Sequence, residues 1–113
     1  ADQTGAVKLL VTSRALRLRR DRPELFTRYA PMYAIGEAAD HVIAFDRGGA
    51  VTIATRLTVS LGGENAEDRW GDTIILLPGR PVTDVITGKT FEGGALRLAD
   101  VLDRYPVALL AAD

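Results

Sequence analysis

The sequence predicts a mainly β domain: an antiparallel β-sandwich of about six to eight strands with Greek-key-like connections, preceded by one N-terminal α-helix. Three observations carry this. A run of good helix formers without proline or glycine, Ala6 to Arg20, opens the chain. Beyond "YAPMYAIG" the segments become short, apolar and rich in β-branched residues. Turn signals built from Gly, Pro and Asp separate them throughout.

The helix comes first. Thr4 is placed to cap it. At 100° per residue, Val7, Leu10, Val11, Ala15 and Leu18 make one broad apolar face. Leu9 and Leu16 make a second stripe, roughly opposite, and the polar strips between them carry Lys8, Thr12 and Arg19 on one side and Ser13, Arg17 and Arg20 on the other. A surface helix needs only one apolar face. Two predict a helix held from both sides, which makes Leu9, Leu16, Arg17 and Arg20 the candidates for a contact with another domain. Arg14 falls inside the main apolar face. It is expected to lay its stem on that surface and pair with a carboxylate. Asp21 and Glu24 are available to the neighbouring arginines. Asp21 followed by Pro23 predicts a restart, with Asp21 as cap and Pro23 in the first turn of a short helix through Leu25 and Phe26.

The strands follow in order. "HVIAF" and "AVTIATRL" read as strands, and "DRGG" between them as a hairpin turn. In the second, Val51, Ile53, Thr55 and Leu57 share one face and Ala50, Thr52, Ala54 and Arg56 the other, which predicts that one face is buried. "TIILL" is apolar on both faces and reads as a central strand. "LPGRP" is a turn, "VTDVIT" a strand and "GKTFEGG" a reversal. "ALRLADVL" alternates, with Leu96 and Leu98 together, and its end also reads as a helical turn. "DRYP" breaks it, and "VALLAA" closes as a buried strand. Residues 1–28 are therefore expected to form a helical lead and 29–113 the sandwich.

Composition narrows the function. With 113 residues the chain suits one domain, and 47% apolar residues argue against disorder. A formal charge of -1 argues against a global electrostatic affinity for nucleic acid. The arginines Arg14, Arg17, Arg19, Arg20 and Arg22 spread around the helix, whereas a DNA-reading helix shows them on one edge. The absence of cysteine leaves no disulfide or thiolate metal site, which suits a cytoplasmic chain. No apolar run is long enough for a membrane span, and a start at "ADQTG" is expected of a processed or excised chain.

The chemical motifs are sparse. "TGKT", Thr87 to Thr90, resembles the end of a phosphate-binding loop, but position 83 is Thr where that loop needs Gly, and no helix follows; a turn is expected. His41 is the single histidine and has no partners at ligand spacing, so no metal and no cofactor is expected, and a solvent-facing strand position suits it. No catalytic residue emerges. Glu67, Asp68 and Asp72 surround Trp70, the only tryptophan. Those four could hold a sugar against the indole face; the plainer expectation is that Trp70 covers core or another domain.

"ALRLRRDRPELF", then "VTDVITGKTF" and "LADVLDRYPVALL", resemble the tail of an α-amylase superfamily enzyme, and specifically of its trehalose-forming glucan isomerases. "HVIAFDR" and "DTIILLPG" extend the similarity over nearly the whole chain. The resemblance implies the non-catalytic C-terminal sandwich of an isomerase of trehalose biosynthesis, led in by the last helix of the catalytic barrel. The reaction implied converts the reducing-end α-1,4 linkage of a maltooligosaccharide to α,α-1,1. Its acidic catalytic residues belong to barrel strands, so none maps onto this sequence. The implied partners are that barrel and, through it, α-glucan. The exposed leucine stripe also predicts a dimer of the isolated domain through the helix.

Overall fold

The computed structural model describes residues 2–55 and 69–112, with side chains from Leu9 onward. Helix α1 (Asp2–Asp21) leads into a 3-10 turn (Pro23–Phe26). The strands are β1 (Ala30–Met32), β2 (Ala34–Ile35), β3 (Val42–Asp46), β4 (Ala50–Thr55), β5 (Ile74–Leu76), β6 (Val82–Asp84), β7 (Thr90–Phe91), β8 (Ala95–Arg97) and β9 (Val107–Ala112). A short helix α2 (Leu98–Val101) follows β8 directly, at the end of "ALRLADVL" where the sequence allowed a helical turn.

The strands form two antiparallel sheets, one of six strands in the order β1-β3-β4-β9-β6-β7 and one of three in the order β2-β5-β8. The mainly β expectation therefore holds, with nine strands among the described residues. The additional strands are short pieces such as β2 and β7, two residues each, too brief to leave a period in the sequence.

The larger sheet is the middle of three layers. Its inner face meets the small sheet through Val51, Ile53, Val82 and Leu110, opposite Ile75, Leu96 and Leu98. Its other face carries α1 and the 3-10 turn, where Leu18 and Leu25 pack on Ala50, Leu109 and Ala111. Strand β9 joins these cores, buried on both faces from Ala108 to Ala112. It lies between β4 and β6, pairing Val51 with Leu110 and Asp84 with Leu110 from the two sides.

Five expectations change. The small-residue face of β4 is not a solvent face: Ala50 is fully buried, because small side chains there let the helix layer approach. Thr4 lies inside α1, which starts at Asp2, and α1 runs through Asp21. Asp21 is therefore not the cap of the 3-10 turn; Arg22 precedes that turn, with no side-chain capping bond, and Pro23 sits at its start as expected. His41 closes a 3-10 turn (Ala39–His41) just before β3. "TIILL" supplies the central strand of the small sheet, but only one of its faces is buried: Ile75 is fully enclosed, whereas Leu76 is 53% exposed.

The "DRGG" turn shows why its residues are what they are. Asp46 Oδ1 accepts bonds from the Gly48 and Gly49 amides at 2.9 and 3.3 Å. Gly49 has φ +130°, and a Cβ there would lie 2.6 Å from Leu25 Cδ2. Only glycine gives both the positive φ and the close approach of the 3-10 turn.

Candidate interdomain surface

Helix α1 presents two faces with opposite fates. Leu18 is buried, and Leu10, Val11 and Ala15 are half-buried against the helix-side core. Leu9 and Leu16 stand 74% and 65% exposed. The helical wheel thus separates the stripes as the sequence indicates. Arg17, Arg19 and Arg20 are exposed beside Leu16, so the outward face is a leucine ridge with a basic border. Arg20 lies 3.3 Å from Asp21, and Arg22 lies 3.2 Å from Glu24, both in solvent. Exposed pairs of this kind contribute little to stability.

What fixes α1 to the sheet is partly polar. Arg14 lays its stem in the apolar face and donates from Nη1 to the Val85 carbonyl at 2.9 Å. A main-chain carbonyl, not the expected carboxylate, takes the bond, because the turn after β6 offers an unused acceptor beside the helix. Arg22 Nη1 donates to the Ala112 carbonyl at 2.6 Å, tying the end of β9 to the helix exit. Neither contact has a sequence signature.

The proposed sugar platform is differently placed. Trp70 is 3% exposed and belongs to the core between the sheets. A ring enclosed to that degree offers no face to a pyranose. Asp72 is exposed, while Glu67 and Asp68 lie outside the described residues. "TGKT" forms the turn expected of it: the Gly88 amide donates to the Asp84 carbonyl at 2.6 Å, and β7 follows. The Thr87 hydroxyl donates to Asp84 Oδ2 at 3.2 Å.

A cleft of about 230 Å³ opens at one end of the sandwich, with Arg28, Asp46 and Arg80 around an apolar floor of Val51, Leu77 and Val82. Asp46 is the only carboxylate among the described residues that line it, and Arg28 Nη2 lies 2.7 Å from Oδ2. Partial burial works to raise the Asp46 pKa, but the Gly48 amide, the Arg28 guanidinium and the Gly49 amide outweigh it, holding the carboxyl below its ordinary 3.8. Glycosidic chemistry takes two carboxylates flanking a bond. Among the described residues the cleft offers one, and it is committed to Arg28 and the two turn amides. Among the described residues no group of three or more His, Asp or Glu side chains could hold a metal ion. No helix there is long and apolar enough to cross a membrane.

No family model matches the chain. Two Mycobacterium tuberculosis proteins, of strains H37Rv and CDC 1551, are assigned as maltooligosyl trehalose synthases; each is 42% identical over 109 residues, 94% of this chain. The solved maltooligosyltrehalose synthase of Arthrobacter ramosus superposes with a TM-score of 0.86 at 54% identity, over 97% of the chain. A single-residue variant of that enzyme gives 0.87. The chain is homologous to one domain of maltooligosyl trehalose synthase. It spans only 14% of the length of these relatives.

Sequence reasoning missed one group of residues. Tyr33, Ile35 and Leu76 are 79%, 55% and 53% exposed. The continuous apolar run "TIILL" suggested burial on both sides, and only the alternation in "YAI" hinted that Tyr33 and Ile35 point one way together.

Proposed function

We propose that this chain is the non-catalytic C-terminal domain of a cytoplasmic maltooligosyl trehalose synthase, an α-amylase superfamily isomerase. In this reading α1 continues the catalytic barrel, and the sandwich covers the barrel's edge and fixes its last helix. The observation that carries the proposal is the exposure of Leu9 and Leu16, 74% and 65%, on a helix whose opposite stripe is already seated. The basic border of Arg17, Arg19 and Arg20 asks for an acidic counterpart on the barrel. The catalytic carboxylates would come from the rest of the polypeptide, as would the contacts that choose among maltooligosaccharides.

Incubating the purified chain with maltoheptaose tests this, with reducing ends as the readout. The chain alone is expected to consume none, while the full-length polypeptide converts the sugar to a non-reducing product. Consumption by the 113-residue chain alone would overturn the reading.

A further inference from the structure

The outer face of the small sheet carries a second apolar surface. Ile35 pairs with Ile74 across β2 and β5, and Leu76 pairs with Ala95 across β5 and β8. One step further along the β2–β5 register sets Tyr33 opposite Leu76, at the corner where the chain leaves β1 for β2. Its neighbours Met32 and Ala34 pack on the inter-sheet core, so Tyr33 points outward with Ile35. Glu37, Asp40 and Asp72, all exposed, border the Ile35 end, where Gly36 comes so close to Thr73 that a Cβ would lie 2.7 Å from its Cα.

We infer that this face is a contact surface for a further part of the same polypeptide, so that the domain is held from two opposite sides. The inference rests on the reading above that the chain is one domain of a larger enzyme. Three arguments select that occupant. The patch, Tyr33 with Ile35, Ile74 and Leu76, exposes on the order of 400 Å². A stable free dimer buries about 800 Å² on each partner. A patch of half that size suits a tethered neighbour, whose effective concentration is already in the millimolar range. Second, the chain spans 14% of the length of its relatives, and in the proposed reading the remainder supplies a body large enough to cover it. Third, the patch and the Leu9–Leu16 ridge face away from each other across three layers, roughly 20 Å of stacked structure. A single flat neighbour cannot reach both. The second contact takes an apolar surface whose border is basic, complementing Glu37, Asp40 and Asp72.

The test uses the full-length polypeptide with single cysteines introduced here. Leu76→Cys and Ile35→Cys report the sheet face, Leu9→Cys the ridge, and the exposed turn positions Asp103→Cys and Glu92→Cys serve as references. Iodoacetamide labelling is followed peptide by peptide by mass spectrometry. Leu76→Cys and Ile35→Cys are expected to react at least about tenfold more slowly than the faster reference, unchanged by roughly hundredfold dilution. Reference-rate labelling at both sheet positions, with Leu9→Cys protected, overturns this inference and leaves the domain reading intact. Reference rates at all three positions overturn both. Protection lost on dilution identifies a second copy as the occupant, and protection seen only with maltoheptaose identifies a sugar surface; either overturns the inference.

Discussion

Asp84 is the buried acceptor on which the β6–β7 turn and the central strand both depend. Its side chain is 1% exposed. Oδ1 accepts from the Ile86 amide at 2.9 Å and the Leu109 amide at 3.3 Å, and Oδ2 accepts from the Thr87 hydroxyl at 3.2 Å. Asp84→Ala removes the acceptor and leaves the two amides without it. An unsatisfied buried donor costs about 1–3 kcal/mol, so the variant is expected to lose about 3–5 kcal/mol after relaxation. Asp84→Asn keeps one carbonyl oxygen for the amides and loses only the second acceptor, to which Thr87 donates, about 1–2 kcal/mol. Urea denaturation followed by tryptophan emission orders the three proteins. With about 4–8 °C of midpoint per kcal/mol in a domain of about 100 residues, Asp84→Ala shifts the thermal transition by roughly 12–40 °C. An Asp84→Ala protein within about 1 kcal/mol of the parent, or one as stable as Asp84→Asn, would refute the reasoning.

Three further outcomes are expected. Asp46 has a depressed folded-state pKa, so the stability it contributes is present above its unfolded value near 3.8 and is lost as pH falls through the lower folded value. Asp46→Asn is therefore less stable than the parent at pH 7, and the gap closes below about pH 4 in acid titrations followed by circular dichroism; a gap independent of pH contradicts this. Trp70→Ala costs about 3–5 kcal/mol through a cavity in the inter-sheet core, and maltoheptaose leaves the parent's tryptophan emission unchanged; a saturable shift would favour the sugar-binding reading instead. The isolated chain associates through its leucine ridge at millimolar concentration by light scattering, whereas Leu16→Ser does not; a monomeric parent at that concentration argues against the ridge as a contact face.

The helix was the most legible element, because the 3.6-residue period separates its two stripes regardless of what surrounds it. The Leu18 face is seated on the sheet, and Leu9 and Leu16 stand on the opposite side as their spacing places them. The large sheet was partly legible. β3 and β4 follow from alternation and from the Asp46–Gly49 turn, but the burial of Ala50 depends on a helix docking on it, and small residues look alike on an open face and a covered one. The middle position of β9 is a non-local pairing that its sequence "VALLAA" does not encode; only its two-sided apolarity hints at it. Leu76 shows the opposite failure. Its apolar run predicted burial on both faces, whereas Leu76 stands on the outer face of the small sheet, 53% exposed, because strand alternation turns it away from the core that encloses Ile75. A tryptophan beside acids, as Trp70 is, looks the same in sequence whether it faces a sugar or a core. Arg14 was placed correctly on the helix, yet its carbonyl acceptor depends on where the turn after β6 falls.

The most direct test of the account compares Leu9→Ser with Leu16→Ser, combined, in two contexts. Fully burying a leucine contributes about 1.5–3 kcal/mol, and with most of both side chains still exposed a neighbouring domain would gain about 2–4 kcal/mol from the pair. Hydrogen exchange of the β4 and β9 amides reads that stabilisation locally. The account predicts that the double variant lowers their opening free energy by about 2–4 kcal/mol in the full-length polypeptide and by less than about 0.5 kcal/mol in the 113-residue chain. Equal effects in the two contexts, or none in the full-length protein, would contradict it.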